Sequence, residues 1–138
     1  MSTISVLVVD DDDVDVMAVK RSFRTRKLTN PVVVAHDGIE ALAILRGNGN
    51  VPLAKPYVIL LDLNMPRMSG AEFLSELRAD PALRSAVVFV LTTSSNDEDR
   101  AAAYQHNVAG YILKSKTGND LSAVTTLLSA YWNTVEFP

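Results

Sequence analysis

Short runs of apolar, mostly β-branched residues recur along the chain, and each is too short to form a helix. The first run does not alternate apolar with polar residues, as a strand exposed on one face would. Continuous runs of this kind are typical of strands buried on both faces of a parallel sheet. The predicted strands are Ile4–Val9, Val32–Ala35, Tyr57–Leu61, Val87–Leu91 and Gly110–Leu113.

Segments with helical spacing of apolar residues follow these strands, and Gly, Pro, Asn or Asp marks most of the junctions. The predicted helices are Val14–Lys27, Ile39–Leu45, Ala71–Ala79, Asp97–Gln105 and Leu121–Trp132. Strands that alternate with helices through short loops predict a parallel sheet covered on both faces, with right-handed crossovers. We therefore expect an α/β fold, a doubly wound sheet of five parallel strands.

Length and composition limit the remaining classes. The 138 residues predict one domain, 1–138, without an output domain. The net charge of -3 and the lack of a long Lys/Arg block argue against nucleic acid as a partner. No run of eighteen apolar residues occurs, so we expect no membrane partner. The absence of cysteine excludes disulfide and thiolate chemistry and fits a cytoplasmic location.

Two local patterns concern the helices. Asp37 can accept from the amide of the third residue of its helix while Glu40 reaches back, which predicts a capping box. The first helix has two apolar stripes on opposite sides, and only one can face the sheet. We expect Val16, Val19 and Phe23 to be buried, and the stripe that contains Val14, Met17 and Ala18 to lie beside the acidic residues as a docking surface for the kinase. The alternative is that both stripes belong to one broad buried face.

Polar side chains follow four of the predicted strands. Asp10–Asp13 come after the first strand, Asp62 after the third, Thr92–Ser94 after the fourth and Lys114 after the fifth. In doubly wound folds, ligands bind beyond the carboxyl ends of the strands. These groups should therefore converge on one edge of the sheet.

This set of groups suits phosphoryl transfer. Crowded carboxylates need a cation to offset their repulsion, and Mg²⁺ prefers oxygen ligands and leaves positions open for phosphate. Asp62 can serve as the nucleophile, Lys114 can supply a fixed positive charge, and Thr92 can donate a hydroxyl. His36 and His106 have no paired ligand spacing, so we expect them to be structural or solvated.

Five sequence blocks resemble the successive signatures of bacterial response-regulator receiver domains. They are VLVVDDDD, HDGIEAL, VILLDLNMPRMSG, VFVLTTS and GYILK, and together they span Val6 to Lys114. The resemblance implies the flavodoxin-like (βα)5 receiver fold. It also implies a phosphoacceptor switch in a two-component phosphorelay rather than a metabolic enzyme, with a histidine kinase as partner and self-phosphorylation and self-dephosphorylation as its only intrinsic chemistry.

The resemblance also assigns roles residue by residue. Asp62 would be the phosphoacceptor, Asp11 a direct Mg²⁺ ligand and Asp10 a second member of the acidic pocket. Asp62 would itself bind the metal, and Asn64 would contribute its backbone carbonyl. In the resemblance, Thr92 and Lys114 take the switch-hydroxyl and phosphate-binding roles, and Tyr111 is the aromatic residue that moves with Thr92.

A narrower resemblance is to the stand-alone regulators that pair with phytochrome-type histidine kinases. It rests on the long connection Asn48–Pro56, the LTTS block and the tail SAYWNTVEFP. One feature departs from the wider family, in which a proline usually follows the strand-five lysine. Here Ser115 follows Lys114, and because a cis bond before Ser costs ~3–4 kcal/mol, we expect this bond to be trans.

Other interpretations remain for parts of this pattern. Asp12, Asp13 and Asp15 could extend a metal site, although capping and the helix dipole also explain carboxylates at a helix start. An Asp-nucleophile phosphatase would need a second carboxylate two residues after Asp62, where Asn64 stands. A flavin-binding module would need a Ser/Thr/Gly-rich phosphate loop after the first strand, where four aspartates stand.

The last predicted helix continues an apolar stripe to the end of the chain. Exposed apolar stripes usually mark an interface. Similar stand-alone receivers dimerise through the face of helix four, strand five and helix five, so the resemblance implies a symmetric homodimer through this face. We expect Tyr131 and Trp132 to be its anchors. The alternative is that Trp132 and Phe137 fold back onto their own domain.

Overall fold

Each of the five apolar runs forms a strand of one sheet in the computed structural model, which describes residues 3–49, 51–118 and 121–138. The strands are β1 (Ser5–Val9), β2 (Val32–Ala35), β3 (Tyr57–Leu61), β4 (Val87–Thr92) and β5 (Gly110–Leu113). Their order is β2-β1-β3-β4-β5, and every neighbouring pair is parallel. The predicted doubly wound, flavodoxin-like arrangement is confirmed.

Helices cover both faces of this sheet. They are α1 (Asp13–Thr25), α2 (Gly38–Leu45), α3 (Gly70–Ala79), α4 (Asp97–Gln105) and α5 (Ser122–Thr134), and a short 3-10 turn occupies Lys114–Lys116. One face packs against α1 and α5, and the other against α2, α3 and α4. Among residues 3–49, 51–118 and 121–138, no helix has the length and apolar character needed to cross a membrane.

The central strands are apolar at every position because both of their faces are covered. Val8 and Leu60 lie in the cluster with α1 and α5, whereas Leu7 and Ile59 lie in the cluster with α2, α3 and α4. All four side chains are at most 2% exposed. This two-sided burial is the physical reason for the non-alternating pattern.

Helix α1 buries the stripe that the sequence predicts. Val16, Val19 and Phe23 are at most 6% exposed, whereas Val14 and Met17 are 73% and 58% exposed. The helix ends at Thr25, two residues earlier than predicted. Lys27 adopts a left-handed conformation (φ 56°), and the amide of Leu28 donates to the Phe23 carbonyl at 2.9 Å, which closes the helix.

The capping prediction for α2 is half wrong. The Asp37 carboxylate accepts from the Glu40 amide at 2.8 Å, as predicted. The Glu40 carboxylate, however, accepts from the amide of His36 at 3.0 Å, where it also reaches the imidazole, and not from the amide of Asp37. A complete capping box lies instead at the start of α3, between Ser69 and Glu72.

Helix α5 and the residues after it form an aromatic cluster against the core. Tyr131 packs edge-on against Phe89 and Phe137, with centroid distances of 5.0 and 5.7 Å, and Trp132 lies 6.0 Å from Phe23. The structure therefore shows the alternative in which Trp132 and Phe137 fold back. The rings of Tyr131 and Trp132 therefore have partners within the chain, and their role as intermolecular anchors stays a prediction.

Candidate functional site

The carboxyl ends of β1, β3 and β5 bring three predicted site residues together. Register pairs Val9 with Leu61, so Asp10 and Asp62 leave adjacent strands at the same level. The amide of Asp62 donates to the carbonyl of Val9 at 2.9 Å, which extends the ladder by one residue. Lys114 follows β5, and its Nζ lies 3.4 Å from Asp10 Oδ2 and 3.7 Å from Asp62 Oδ2.

Three carboxylates form a cluster that fits a divalent metal ion. One ligand oxygen from each of Asp10, Asp11 and Asp62 lies within 4.8 Å of the others. Asp10 and Asp62 are buried, whereas Asp11 is exposed, so the cluster opens to solvent on one side. The set offers only oxygen atoms, which suits hard cations such as Mg²⁺ or Mn²⁺.

Asn64 stands at the exposed rim of this cluster. Its amide donates to Asp62 Oδ1 at 3.2 Å and fixes the carboxylate from the side of the loop after β3. On the other side, the amide of Asp12 donates to Asp10 Oδ1 at 2.8 Å. Both buried carboxylates thus keep one oxygen in a hydrogen bond to backbone and present the other toward Lys114.

Burial dominates the electrostatics of the two inner carboxyl groups. It raises the pKa of Asp10 to about 6, against the opposing hydrogen bond from Asp12 and the charge of Lys114. Burial likewise raises the pKa of Asp62, with Lys114 and the Asn64 amide opposing it. The buried site therefore has an excess of negative charge that a cation would offset.

The ammonium of Lys114 shows the opposite balance. Burial disfavours the charged form, but the hydrogen bond to Asp15 and the charges of Asp10 and Asp62 outweigh it and raise the pKa of Lys114. Nζ lies 2.5 Å from Asp15 Oδ2, which is its shortest contact with these three carboxylates. Lys114 therefore stays positively charged beside Asp62.

Asp15 is the site residue whose contact the sequence analysis missed. Asp12 caps α1 by accepting from the amide of Val14 at 2.9 Å, as a structural role predicts, and Asp13 is exposed. Asp15 points to Lys114 instead. One available signal was its place in the first turn of α1, directly after the acidic end of β1.

Thr92 and Tyr111 meet at the loop after β4. Thr92 is fully buried, and its Oγ1 accepts from the amide of Ser94 at 3.2 Å. The hydroxyl of Tyr111 donates to the carbonyl of Ser94 at 2.9 Å, and the Ser94 hydroxyl donates to Asp99 in α4 at 2.6 Å. Ser94 thus connects the end of β4, the aromatic residue of β5 and the first turn of α4.

The loop after Asp62 is tied to the start of α2. The guanidinium of Arg67 donates from Nε to Asp37 Oδ2 at 2.7 Å, with a second bond from Nη2. Burial opposes the charge of Asp37, but the Glu40 amide and Arg67 outweigh it and hold the pKa of Asp37 below its usual value. Gly70 permits the close return of the loop, since a Cβ there would lie 2.6 Å from the Cα of Leu63.

Two further predictions about single residues have clear outcomes. The peptide bond between Lys114 and Ser115 is trans, as predicted. His36 is exposed and contacts Glu40 at 3.3 Å and Asp13 at 3.8 Å. Within the described ranges, the one group of three side chains that could hold a metal ion is the aspartate cluster, and it contains no histidine.

Comparison with known proteins gives a consistent result. The family described as response regulator receiver domain matches residues 6–126. Response regulator Rcp1 of Synechocystis sp. is 35% identical over 137 residues, which cover 96% of this chain and 92% of that protein.

Two solved structures share the fold over their full length. The Mn²⁺-bound form of response regulator Rcp1 is 33% identical, with a TM-score of 0.84 and coverage of 99% of both chains. The phosphorylated cyanobacterial phytochrome response regulator RcpA is 31% identical, with a TM-score of 0.86 and coverage of 99% of both chains. The similarity thus extends beyond the site to the fold of the whole chain.

Proposed function

The chain belongs to the family of response regulator receiver domains, and we propose that Asp62 is the residue on which it accepts a phosphoryl group from a histidine kinase. The observation that carries this proposal is the position of Asp62. Its carboxylate is buried at the end of β3, within 3.7 Å of the Lys114 ammonium and beside Asp10 and Asp11. A nucleophile, a fixed cation and a metal-ligating pair are the parts that phosphoryl transfer needs.

The proposed step exchanges one bond to phosphorus for another. A carboxylate oxygen of Asp62 attacks the phosphorus of a phosphohistidine, an acyl phosphate P–O bond forms, and the P–N bond breaks with its electron pair on the imidazole nitrogen. Lys114 Nζ faces the oxygens that gain charge. Hydrolysis of the acyl phosphate returns Asp62 to its carboxylate, so the intrinsic chemistry is limited to self-phosphorylation and self-dephosphorylation.

A divalent cation, which we propose to be Mg²⁺, would be held by the aspartate cluster. Asp10, Asp11 and Asp62 would supply carboxylate oxygens. Asn64, whose backbone amide donates to Asp62, would complete the set with its backbone carbonyl. The cation would neutralise charge on the phosphoryl oxygens. The related Rcp1 has been solved with Mn²⁺ bound, which supports a hard cation at this position.

The switch would pass through Thr92, Ser94 and Tyr111. A phosphoryl oxygen that accepts from the Thr92 hydroxyl and draws Oγ1 toward Asp62 would lengthen the bond that Oγ1 accepts from the Ser94 amide. The carbonyl of Ser94 in turn accepts from Tyr111. Tyr111 would then be free to adopt a different rotamer at the β5 surface. The surface of α4 and β5 is thus the part of the molecule that we expect to report phosphorylation.

The cognate kinase would be of the phytochrome type and cytoplasmic. The similar RcpA is a phytochrome response regulator, and it was solved in its phosphorylated form. We expect no nucleic-acid or membrane partner.

The face of α4, β5 and α5 is the proposed homodimer interface, because β5 is an edge strand, and Tyr104 and Leu127 are 49% and 41% exposed. Light scattering at micromolar concentration tests this; a monomer mass with and without phosphorylation would exclude the dimer.

Intact-mass measurement after incubation with acetyl phosphate and Mg²⁺ tests the main proposal. We expect one labile phosphoryl group on the wild-type chain and none on Asp62→Asn. Asp13→Asn removes an exposed carboxylate and should be labelled as the wild type is. Metal-dependent labelling of Asp62→Asn would refute the assignment, and rapid steady turnover of phosphate esters would indicate a phosphatase.

A further inference from the structure

Lys114 makes its shortest contact in the site with a carboxylate outside the metal-ligating cluster. Nζ lies 2.5 Å from Asp15 Oδ2, compared with 3.4 Å for Asp10 and 3.7 Å for Asp62. Of the three carboxylates that contact Lys114, Asp10 and Asp62 belong to the aspartate cluster with Asp11, and Asp15 does not. The contact with Asp15 therefore needs an explanation other than metal binding.

The backbone near Lys114 does not by itself fix the ammonium. The Thr117 hydroxyl donates to the carbonyl of Lys114 at 2.7 Å, which restrains the main chain of the 3-10 turn. The lysine side chain has a flexible four-carbon stem and ~2 kcal/mol of rotamer entropy to lose when it is held in one place. A partner at the charged end is thus needed to define the position of Nζ.

Asp15 is suited to be that partner because its own position is rigid. It lies in the first turn of α1, whose N-terminus is capped by Asp12. The next residue, Val16, is 6% exposed and packs in the core with Val8. A carboxylate on a well-packed helix is a more exact support than one on a loop.

We propose that Asp15 is a positioning residue, which holds the Lys114 ammonium where it meets a phosphoryl oxygen on Asp62. This role rests on the proposed function of Asp62. An ammonium has three donors, so Lys114 can keep its bond to Asp15 while it donates to a phosphoryl oxygen. At 3.7 Å from Asp62 Oδ2, Nζ is close enough to reach an oxygen of a phosphoryl group that is added to Asp62.

A competing role for Asp15 predicts the opposite sign. If Asp15 withheld Lys114 from the phosphoryl group, its removal would free the ammonium and speed phosphorylation. If Asp15 positions Lys114, its removal lets the Lys114 ammonium adopt other positions and slows the phosphorylation of Asp62. The rate of labelling distinguishes the two.

The test measures labelling by acetyl phosphate and Mg²⁺ in three full-length variants. Asp15→Asn should be labelled on the order of tenfold more slowly than the wild type, less than the ~10²-fold that a 1 Å misplacement can cost. Asp15→Glu, which keeps the charge on the same helix, should recover most of this loss. Asp13→Asn removes the same charge from the exposed start of α1 and should change the rate less than about twofold.

Two measurements separate positioning from other roles. The Mg²⁺ concentration for half-maximal labelling should be the same in Asp15→Asn and Asp13→Asn, and urea unfolding should show that both variants are folded. A higher Mg²⁺ requirement in Asp15→Asn alone would mean that Asp15 acts through the metal, and would overturn the inference. So would an unchanged or faster rate, or a failure of Asp15→Glu to recover.

The inference and the proposed function fail in different ways. Absence of labelling on wild-type Asp62 would contradict the function itself. Normal labelling of the wild type, with Asp15→Asn equal to Asp13→Asn, would contradict only the positioning role.

Discussion

The two ends of the sheet differ in what they bury. At the carboxyl ends of the strands, Asp10 and Asp62 are buried as charged groups that share one ammonium. At the amino ends, aromatic side chains of α5 and of the tail after it pack against each other. Phe137 shares a cleft with Pro56 and Val87, which lie at the starts of β3 and β4. One end is built from groups that resist burial, and the other from groups that favour it.

This difference separates stability from function within one small fold. Burial raises the pKa of Asp10 and of Asp62, which means that their charged forms weaken the folded state. Aromatic rings in edge-on contact strengthen the folded state, since each such pair contributes favourable energy beyond that of its buried area. The reactive end is therefore expected to lower stability, and the aromatic end to supply it.

Removal of Tyr131 should have the largest effect on stability. Tyr131→Ala removes the edge-on contacts with Phe89 and Phe137, and we expect the free energy of unfolding to fall by ~3–4 kcal/mol. Urea denaturation measures this, and labelling of Asp62 should continue in the folded variant. Leu127→Ala, in the same helix but 41% exposed, is the control. Equal losses of unfolding free energy in Tyr131→Ala and Leu127→Ala would show that the aromatic contacts of Tyr131 stabilise the fold no more than an exposed side chain does.

Neutralising Asp10 should have the opposite sign. Its pKa is about 6 in the folded chain, against 3.8 in the unfolded chain. A carboxyl group with a raised folded pKa contributes stability below about pH 4, and that contribution is lost as the pH rises through about 6. In metal-free buffer at pH 7, Asp10→Asn should therefore be more stable than the wild type by ~2–3 kcal/mol.

The pH dependence of this difference is the sharper measurement. The gain from Asp10→Asn should shrink toward zero as the pH falls from 7 to 4, because wild-type Asp10 is then protonated as well. Asp13→Asn, which removes an equal charge from the exposed turn of α1, gives the long-range contribution. A pH-independent gain, or a loss at pH 7, would show that charge burial at Asp10 does not weaken the fold.

The sequence predicts the fold well because the residue types within each strand reflect the burial of that strand. β2, β3 and β5 have the predicted limits, since each run is apolar up to a residue of different character. The aspartate cluster, which we propose to bind the metal, could also be predicted in part, because parallel strands bring Asp10 and Asp62 to one edge. These features depend on residue type and on the topology alone.

Contacts between distant side chains could not be read in the same way. Asp15 and Lys114 are 99 positions apart, and Arg67 and Asp37 are 30 apart. Periodicity along α5 shows an apolar stripe, but it cannot show that Phe137 turns back to cover Tyr131. The end of α1 was predicted wrongly for a related reason. The helix ends before Lys27 because this residue adopts a left-handed conformation, which its residue type does not show.

An exposed apolar patch at the reactive end gives a smaller, kinetic prediction. Val14 and Met17 are exposed on α1 near the acidic cluster, where a kinase must approach. Met17→Glu should slow phosphotransfer from a phytochrome-type histidine kinase about tenfold, which is ~1.4 kcal/mol. Labelling by acetyl phosphate should not change. Val135→Glu, at an exposed apolar residue after α5, is the matched control, and equal slowing in both, or none in Met17→Glu, would refute docking at α1.

The smallest expected effect concerns the tether between the loop after β3 and α2. Arg67 pairs with Asp37 but is 62% exposed, so the pair should be worth no more than ~1 kcal/mol. Arg67 also adopts a left-handed backbone (φ 62°), which costs ~1 kcal/mol for a residue other than glycine. Arg67→Ala should therefore lose the ion pair and keep the strain, whereas Arg67→Gly should lose both.

These two variants divide the tether into its parts. We expect Arg67→Ala to be less stable than the wild type by ~1 kcal/mol, and Arg67→Gly to lie close to the wild type. Arg46→Ala, which breaks the exposed pair with Asp80 at the far end of α2, controls for loss of a surface ion pair. Because Asp37 has a lowered pKa, its contribution should persist at neutral pH and be lost as the pH falls through that value. If Arg67→Gly is as unstable as Arg67→Ala, the left-handed backbone at Arg67 carries no strain. The loop after β3 would then stabilise the end of the sheet that holds Asp10 and Asp62 more than we expect from the comparison of the two ends.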